Sequence, residues 1–114
     1  MELFTAYIDQ SVNDLAQEEK SLADSDRKDE SNLVKIRINV YGICKTIYKA
    51  FVKQDGQTES NGPYLRKLDE LAQNWKLSYE KAKEHDDVKK AVIEEIKIQT
   101  LEEIRNKFMA TEEN

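Results

Sequence analysis

Residues 33–51, LVKIRINVYGICKTIYKAF, carry the clearest apolar periodicity of this 114-residue sequence. Apolar side chains recur there at alternating intervals of three and four, the spacing of one face of an α-helix. The main row consists of Leu33, Ile36, Val40, Ile43, Ile47 and Ala50, and Val34, Tyr41, Cys44, Tyr48 and Phe51 broaden it on both sides. The pattern predicts a helix over about residues 31–54, the most buried of the protein, with Ile36 and Ile43 in its central row.

Similar periodicity predicts a helix on one side of this segment and two on the other. A first helix over about residues 2–23 carries Phe4, Tyr7, Ile8, Val12, Leu15 and Leu22 on one face. A third helix over 63–84 can begin at Pro63, which is tolerated in a first turn, and its apolar row is Leu65, Leu68, Ala72, Trp75, Tyr79 and Ala82. A fourth helix over 87–109 carries Val88, Val92, Ile93, Ile96, Leu101, Ile104 and Phe108, and the tail 110–114 should fray.

The boundaries between these helices follow from polar segments. The segment 24–32 offers Ser25, Asp26 and Asp29 as N-caps of the second helix. A break at residues 85–87 is predicted because continuing the third row would place a charged residue in the core, and Asp86 or Asp87 would then cap the fourth helix. The alternative is that the third and fourth helices are continuous, at about 1.5 Å per residue a rod too long for a small monomer to cover.

Composition places the chain in the all-α class. It has 39% hydrophobic and 36% charged residues, with only three glycines and one proline, which suits long amphipathic helices better than a sheet with frequent turns. No internal repeat is evident by inspection. We therefore predict an antiparallel up-down four-helix bundle in which residues 1–114 form one domain.

The charges are segregated along the chain. Residues 1–30 carry nine acidic and three basic side chains, whereas residues 31–54 carry five basic and no acidic ones. Because a short connection makes the first two helices antiparallel neighbours, Asp9, Asp14, Glu18 and Glu19 should lie near Lys35, Arg37, Lys45, Lys49 and Lys53. Intramolecular charge matching is the preferred interpretation of this asymmetry.

A second interpretation of the basic helix is an anion-binding surface. The candidate residues are Tyr41, Lys45, Tyr48, Lys49 and Lys53, since aromatic and cationic side chains side by side can stack on and neutralise a nucleotide or a nucleic-acid backbone. The net charge of -5 and the number of apolar residues on this helix argue against that use.

No catalytic, cofactor or metal motif stands out, so we assign no catalytic, cofactor-binding or metal-ligating residue. The single histidine, His85, lies among acidic residues in EHDD, where neighbours point in different directions and favour a solvated helix end. The single cysteine, Cys44, is expected to be buried and inert, and Trp75 should anchor the core. Gly42 in mid-helix indicates either the close approach of a neighbouring helix, which we prefer, or a tolerated loss of helix propensity.

The fourth helix is apolar over more than one face of a bundle requires. We predict an interface there that includes Ile93, Ile98, Leu101 and Phe108, covered by a second copy of the chain or by another protein. The leading functional hypothesis is a non-enzymatic protein-interaction module that self-associates. The alternatives are a nucleic-acid-associated or anion-binding regulator and, by analogy of size and class alone, an immunity-type bundle that protects bacteria against their own peptide toxins.

The same sequence predicts where the protein resides. It contains no run of apolar residues long enough for a membrane span, and its first residues lack the features of a secretion signal. A lone cysteine agrees with a reducing compartment. We therefore expect a cytoplasmic protein without cofactors.

Overall fold

The computed structural model describes residues 2–55 and 61–113 and shows the predicted antiparallel four-helix bundle. Its helices are α1 (Glu2–Asp24), α2 (Lys28–Asp55), α3 (Asn61–Glu84) and α4 (Val88–Glu113). The predicted break at 85–87 is confirmed, and the predicted tail is helical as far as Glu113. The polar segment between the second and third helices falls largely on residues 56–60, outside the described residues.

The helices form two hairpins that pack against each other chiefly through their second members. Hairpin one consists of α1 and α2, and hairpin two consists of α3 and α4. Contacts between the hairpins are concentrated on α2 and α4, with fewer between α2 and α3 and between α1 and α4. The two second helices therefore form the centre of the molecule, and α1 and α3 flank them.

Each hairpin turns through a Schellman motif at the end of its first helix. In hairpin one the Arg27 N–H donates to the Leu22 carbonyl at 2.8 Å and the Asp26 N–H donates to the Ala23 carbonyl at 3.1 Å. Asp26 has a φ of 63°, the left-handed conformation that this motif requires. The motif satisfies the last carbonyls of α1 and reverses the chain in three residues.

Hairpin two repeats this turn after an interval of 60 residues. The Asp87 N–H donates to the Ala82 carbonyl at 2.8 Å, and the Asp86 N–H donates to the Lys83 carbonyl at 3.2 Å. Asp86 has a φ of 54°. The ion pairs between the helices recur at the same interval, with Lys45–Asp9 at 2.5 Å in hairpin one and Arg105–Asp69 at 2.9 Å in hairpin two. The chain thus contains an internal structural repeat, contrary to the prediction.

The repeat is hidden in the sequence because most side chains have diverged, and their class is kept chiefly at core positions. Identical pairs such as Asp9 and Asp69 are few, whereas Phe4 corresponds to Tyr64 and Tyr48 to Phe108. Substitutions of this kind preserve the apolar periodicity of the helices. They remove the identical residues by which a repeat is recognised in a sequence.

These four aromatic residues form the centre of the core, where α1 and α3 begin and α2 and α4 approach their ends. Ring centroids of Phe4 and Phe108 lie 5.0 Å apart, and those of the corresponding pair Tyr64 and Tyr48 lie 5.3 Å apart. Within the hairpins, the Phe4–Tyr48 and Tyr64–Phe108 distances are 5.1 and 4.9 Å. Each contact recurs when the hairpins are exchanged, which is the pattern of an approximate twofold relation.

The face that α2 buries differs from the prediction. Its buried apolar residues are Val34, Val40, Tyr41, Cys44 and Tyr48, whereas Ile43 is 40% exposed. The helix contacts all three others, so its buried face is broad and centres on the aromatic row. Spacing alone could not distinguish that row from the aliphatic one, and the central place predicted for Ile43 is wrong.

Two further predictions about single residues are corrected. A Cβ added to Gly42 would meet no atom within 4 Å outside the helix's own backbone and the glycine's chain neighbours, so no neighbouring helix approaches this glycine closely. The N-cap position of α2 is Arg27, and none of the three predicted caps occupies it. For α4 the prediction is confirmed, because the Asp87 Oδ1 accepts a hydrogen bond from the Lys90 N–H at 3.2 Å.

Candidate functional site

The predicted anion surface does not form as an exposed aromatic and cationic face. Tyr41 and Tyr48 are buried, and the Tyr41 hydroxyl lies 2.8 Å from the hydroxyl of Tyr7 on α1. Lys45 is paired with Asp9, and Lys49 is exposed. The side chain of Lys53 lies outside the described residues. Since neither tyrosine ring is accessible, Tyr41 and Tyr48 are not available for stacking on a ligand.

Charge matching between the first two helices is confirmed for two pairs. The Lys45–Asp9 pair lies midway along the hairpin, and Lys35 Nζ lies 3.3 Å from Glu19 Oε1 near its turn. The same Glu19 oxygen accepts a hydrogen bond of 3.0 Å from the buried Ser31 hydroxyl. These contacts fix the register of α1 on α2, although exposed pairs contribute only about 0.2–1 kcal/mol each.

The two residues with the most reactive side chains lie apart. Cys44 is fully buried in the core, as predicted, and burial raises the pKa of its thiol to about 12. His85 is exposed in the turn between α3 and α4. Among residues 2–55 and 61–113, no group of three or more His, Cys, Asp or Glu side chains is arranged to hold a metal ion. The candidate functional features of the described residues are therefore surface clefts.

The residues of the predicted interface on α4 are separated by the fold. Leu101 and Phe108 are fully buried in the core, and Ile98 packs against it. Ile93 lines an open groove at the other end of the helix. Leu101 and Phe108 are consequently not available to a partner in this conformation, because the neighbouring hairpin already covers them.

The groove at Ile93 lies between the first turns of α2 and α4 and has a volume of about 390 Å³. We call it the open-end groove. It is lined by Asp29, Asn32, Leu33 and Ile36 from α2 and by Lys89, Val92 and Ile93 from α4. The pairs Asp29 and Lys89, Asn32 and Val92, and Leu33 and Ile93 correspond in the internal repeat, so the groove lies on the approximate twofold axis.

The cluster of four aromatic rings lies at the other end of the bundle, away from this groove. Four aromatic side chains fill the space between the hairpins near residues 4, 48, 64 and 108, whereas aliphatic and polar residues line the open-end groove. The radius of gyration of 15.4 Å exceeds the value of about 13 Å for a compact chain of this length, as expected for a bundle with a longest extent of 44 Å. Val92 is 42% and Val88 is 72% exposed here, although both are large and apolar.

The exposed apolar residues of α4 beside this groove lie nearer the start of the helix than predicted, at Val88 and Val92, with Ile93 partly exposed. The signal that could have located them is the contrast between small aliphatic residues at one end of α2 and α4 and aromatic residues at the other. None of the described helices is long and apolar enough to cross a membrane. The chain matches no protein-family model, and comparison with curated proteins and with solved structures finds none that is detectably similar to it.

Proposed function

We propose that this chain is a non-enzymatic protein-interaction module that associates with a second copy of itself through the open-end groove. The observation that supports this proposal is the exposed apolar lining of the groove, with Val92 42% exposed between α2 and α4. Covering a side chain of this size contributes roughly 1.5–3 kcal/mol when burial is complete. A surface of this kind is stabilised by a protein partner.

The charges beside the groove favour a second copy as that partner. Asp29 lies on the α2 side and Lys89 on the α4 side, at corresponding positions of the repeat. In a symmetric pair each surface meets its own copy, so Asp29 of one molecule can face Lys89 of the other twice. Such rim charges select orientation more than they add affinity.

The experiment is light scattering across a concentration series for the unmodified chain and for Val92→Asp. We expect a dimer that the substitution converts to a monomer, because it places a charge in the apolar contact. The matched control is Leu3→Asp in the first turn of α1, a position that is 67% exposed and lies at the aromatic end of the bundle, away from the groove, and this variant should remain dimeric. The proposal is contradicted if the unmodified chain stays monomeric at every concentration.

A charge exchange then tests whether the partner is a second copy in the proposed orientation. Asp29→Lys should weaken the dimer because two lysines would face each other, and adding Lys89→Asp should restore it. If the double variant is as weak as the single one, the two residues do not face each other. Circular dichroism of each variant confirms that the helices are retained.

A further inference from the structure

A second cleft, which shares only Leu33 with the open-end groove, lies chiefly between α1 and α2, and Ile96 of α4 forms part of its wall. We call it the hairpin-one cleft. Its volume is about 540 Å³, and it is lined by Leu15, Glu18, Leu22, Arg27, Glu30, Leu33, Val34, Arg37 and Ile96. Arg27 is paired with Glu30 at its edge. Arg37 is partly buried and makes no ion pair or hydrogen bond with another residue among those described.

The internal repeat shows what occupies the corresponding place in hairpin two. There the counterpart of Arg37 is Lys97, whose Nζ lies 2.9 Å from an oxygen of Glu94 and 4.7 Å from the centroid of the Trp75 ring. Glu94 and Trp75 are both buried. The cation of hairpin two is therefore held by a carboxylate and an aromatic ring that the chain itself supplies.

Hairpin one lacks both of these groups. The counterpart of Glu94 is Val34 and the counterpart of Trp75 is Leu15, and both line the hairpin-one cleft together with Arg37. The carboxylate is missing and the ring is replaced by a smaller side chain. The result is an open cleft beside a guanidinium that has no ion-pair partner among the described residues, at the position that hairpin two fills from within.

We infer that the hairpin-one cleft binds a small aromatic carboxylate. The ring would lie against Leu15 in the place that Trp75 occupies in the other repeat, and the carboxylate would pair with Arg37 from the side of Val34. A planar guanidinium can hold a carboxylate through two parallel hydrogen bonds. A cleft of this volume lies within the range of small-molecule sites.

Two acidic residues on the same cleft restrict how the ligand enters. Glu30 is paired with Arg27, and Glu18 is exposed on α1. Both would repel a carboxylate that approached along the turn. The ligand's carboxylate therefore takes the position of the Glu94 side chain, on the α2 wall next to Val34. This inference does not depend on self-association of the chain.

The probe is indole-3-propionate, titrated into the full chain and followed by calorimetry and by amide chemical shifts. We expect saturable binding with a dissociation constant on the order of 0.1–1 mM, as ligand efficiency gives for a molecule of this size. Indole and propionate, each alone, should bind at least tenfold more weakly because each lacks one of the two groups. Equal affinity for indole would overturn the contact with Arg37, and no saturation up to about 10 mM would overturn the site.

Variants locate the binding. Arg37→Gln should weaken it at least tenfold, whereas the matched Lys97→Gln on hairpin two should leave it unchanged. Leu15→Trp should close the cleft with the residue that hairpin two carries there, and binding should be lost while cooperative unfolding is retained. Leu15 is only partly buried, so this variant tests the site without removing a core residue. Binding that survives both Arg37→Gln and Leu15→Trp places the ligand elsewhere and refutes the inference.

Discussion

Gly42 lies in the middle of the central helix without any packing reason for the absence of a side chain. It is exposed, and the space around an added Cβ is open. Glycine in a helix interior is less favourable than alanine by about 0.5–1 kcal/mol because its backbone loses more freedom on folding. The residue therefore weakens α2 without improving any contact between helices.

Gly42→Ala should consequently raise the free energy of unfolding by about 0.5–1 kcal/mol, measured by urea denaturation. Gly62 provides the comparison, since it lies in the first turn of α3 directly before Pro63, whose ring crowds a Cβ on a helical residue that precedes it. Gly62→Ala should give no gain. A loss of stability in Gly42→Ala would mean that this position is constrained in a way that the helix geometry does not show.

At the scale of the element, the two turns share their backbone bonds and differ in their caps. Asp87 caps α4 through its side chain, whereas the corresponding Arg27 cannot accept a hydrogen bond and instead pairs with Glu30. The common part of the turn is the Schellman motif with a residue at positive φ. Stability of α4 therefore depends on a side chain that α2 does without.

Asp87→Ala should lower the free energy of unfolding by about 1 kcal/mol, the usual cost of losing an N-cap. Arg27→Ala at the equivalent position should change it by less than about 0.5 kcal/mol, because the lost pair with Glu30 is exposed. Thermal or urea denaturation of both variants distinguishes the two turns. Equal losses would show that the Asp87 hydrogen bond does not set the stability of α4.

At the scale of the whole molecule, the contact between the hairpins buries groups that ionise at high pH. Tyr64 is fully buried, and its hydroxyl donates a 2.9 Å hydrogen bond to the Cys44 carbonyl. Burial raises the pKa of the Cys44 thiol to about 12. Burial is also the main reason that the pKa values of the Tyr7 and Tyr64 hydroxyls lie above the usual tyrosine range.

These shifts make the bundle sensitive to alkali. A group whose pKa is raised on folding stabilises the folded state below its unfolded pKa and loses that contribution as pH rises toward its folded pKa. The unfolded thiol ionises near its reference pKa of 9.0 and the unfolded tyrosines near 10.0. The free energy of unfolding should thus be constant up to about pH 8 and fall above pH 9, by about 1.4 kcal/mol per pH unit for each group involved.

Urea denaturation between pH 7 and 11 measures this decline. Cys44→Ala removes the earliest of the three ionisations, so its stability should fall less steeply than that of the unmodified chain between pH 9 and 10. A parallel pH dependence in the two proteins would assign the alkaline loss to other groups.

The amino-acid sequence by itself determined the helices, the break at 85–87, the cap at Asp87 and the buried thiol. These features depend on local periodicity and on hydrogen bonds between residues a few positions apart, so they can be read along the chain. The ion pairs Lys45–Asp9 and Lys35–Glu19 also followed, because a short turn makes α1 and α2 neighbours whatever the rest of the chain does.

Only the tertiary structure decided which face α2 buries, where the apolar surplus of α4 is exposed and that the two hairpins repeat each other. Those features depend on how hairpin two packs on hairpin one. The spacing of apolar residues shows which side chains share a face of a helix, but it does not show which face a helix distant in sequence covers. The contrast between Arg37 and Lys97 became visible in the same way. Each is an ordinary cation in the sequence, and the difference between them arises because packing places Glu94 and Trp75 around one and leaves Val34 and Leu15 beside the other.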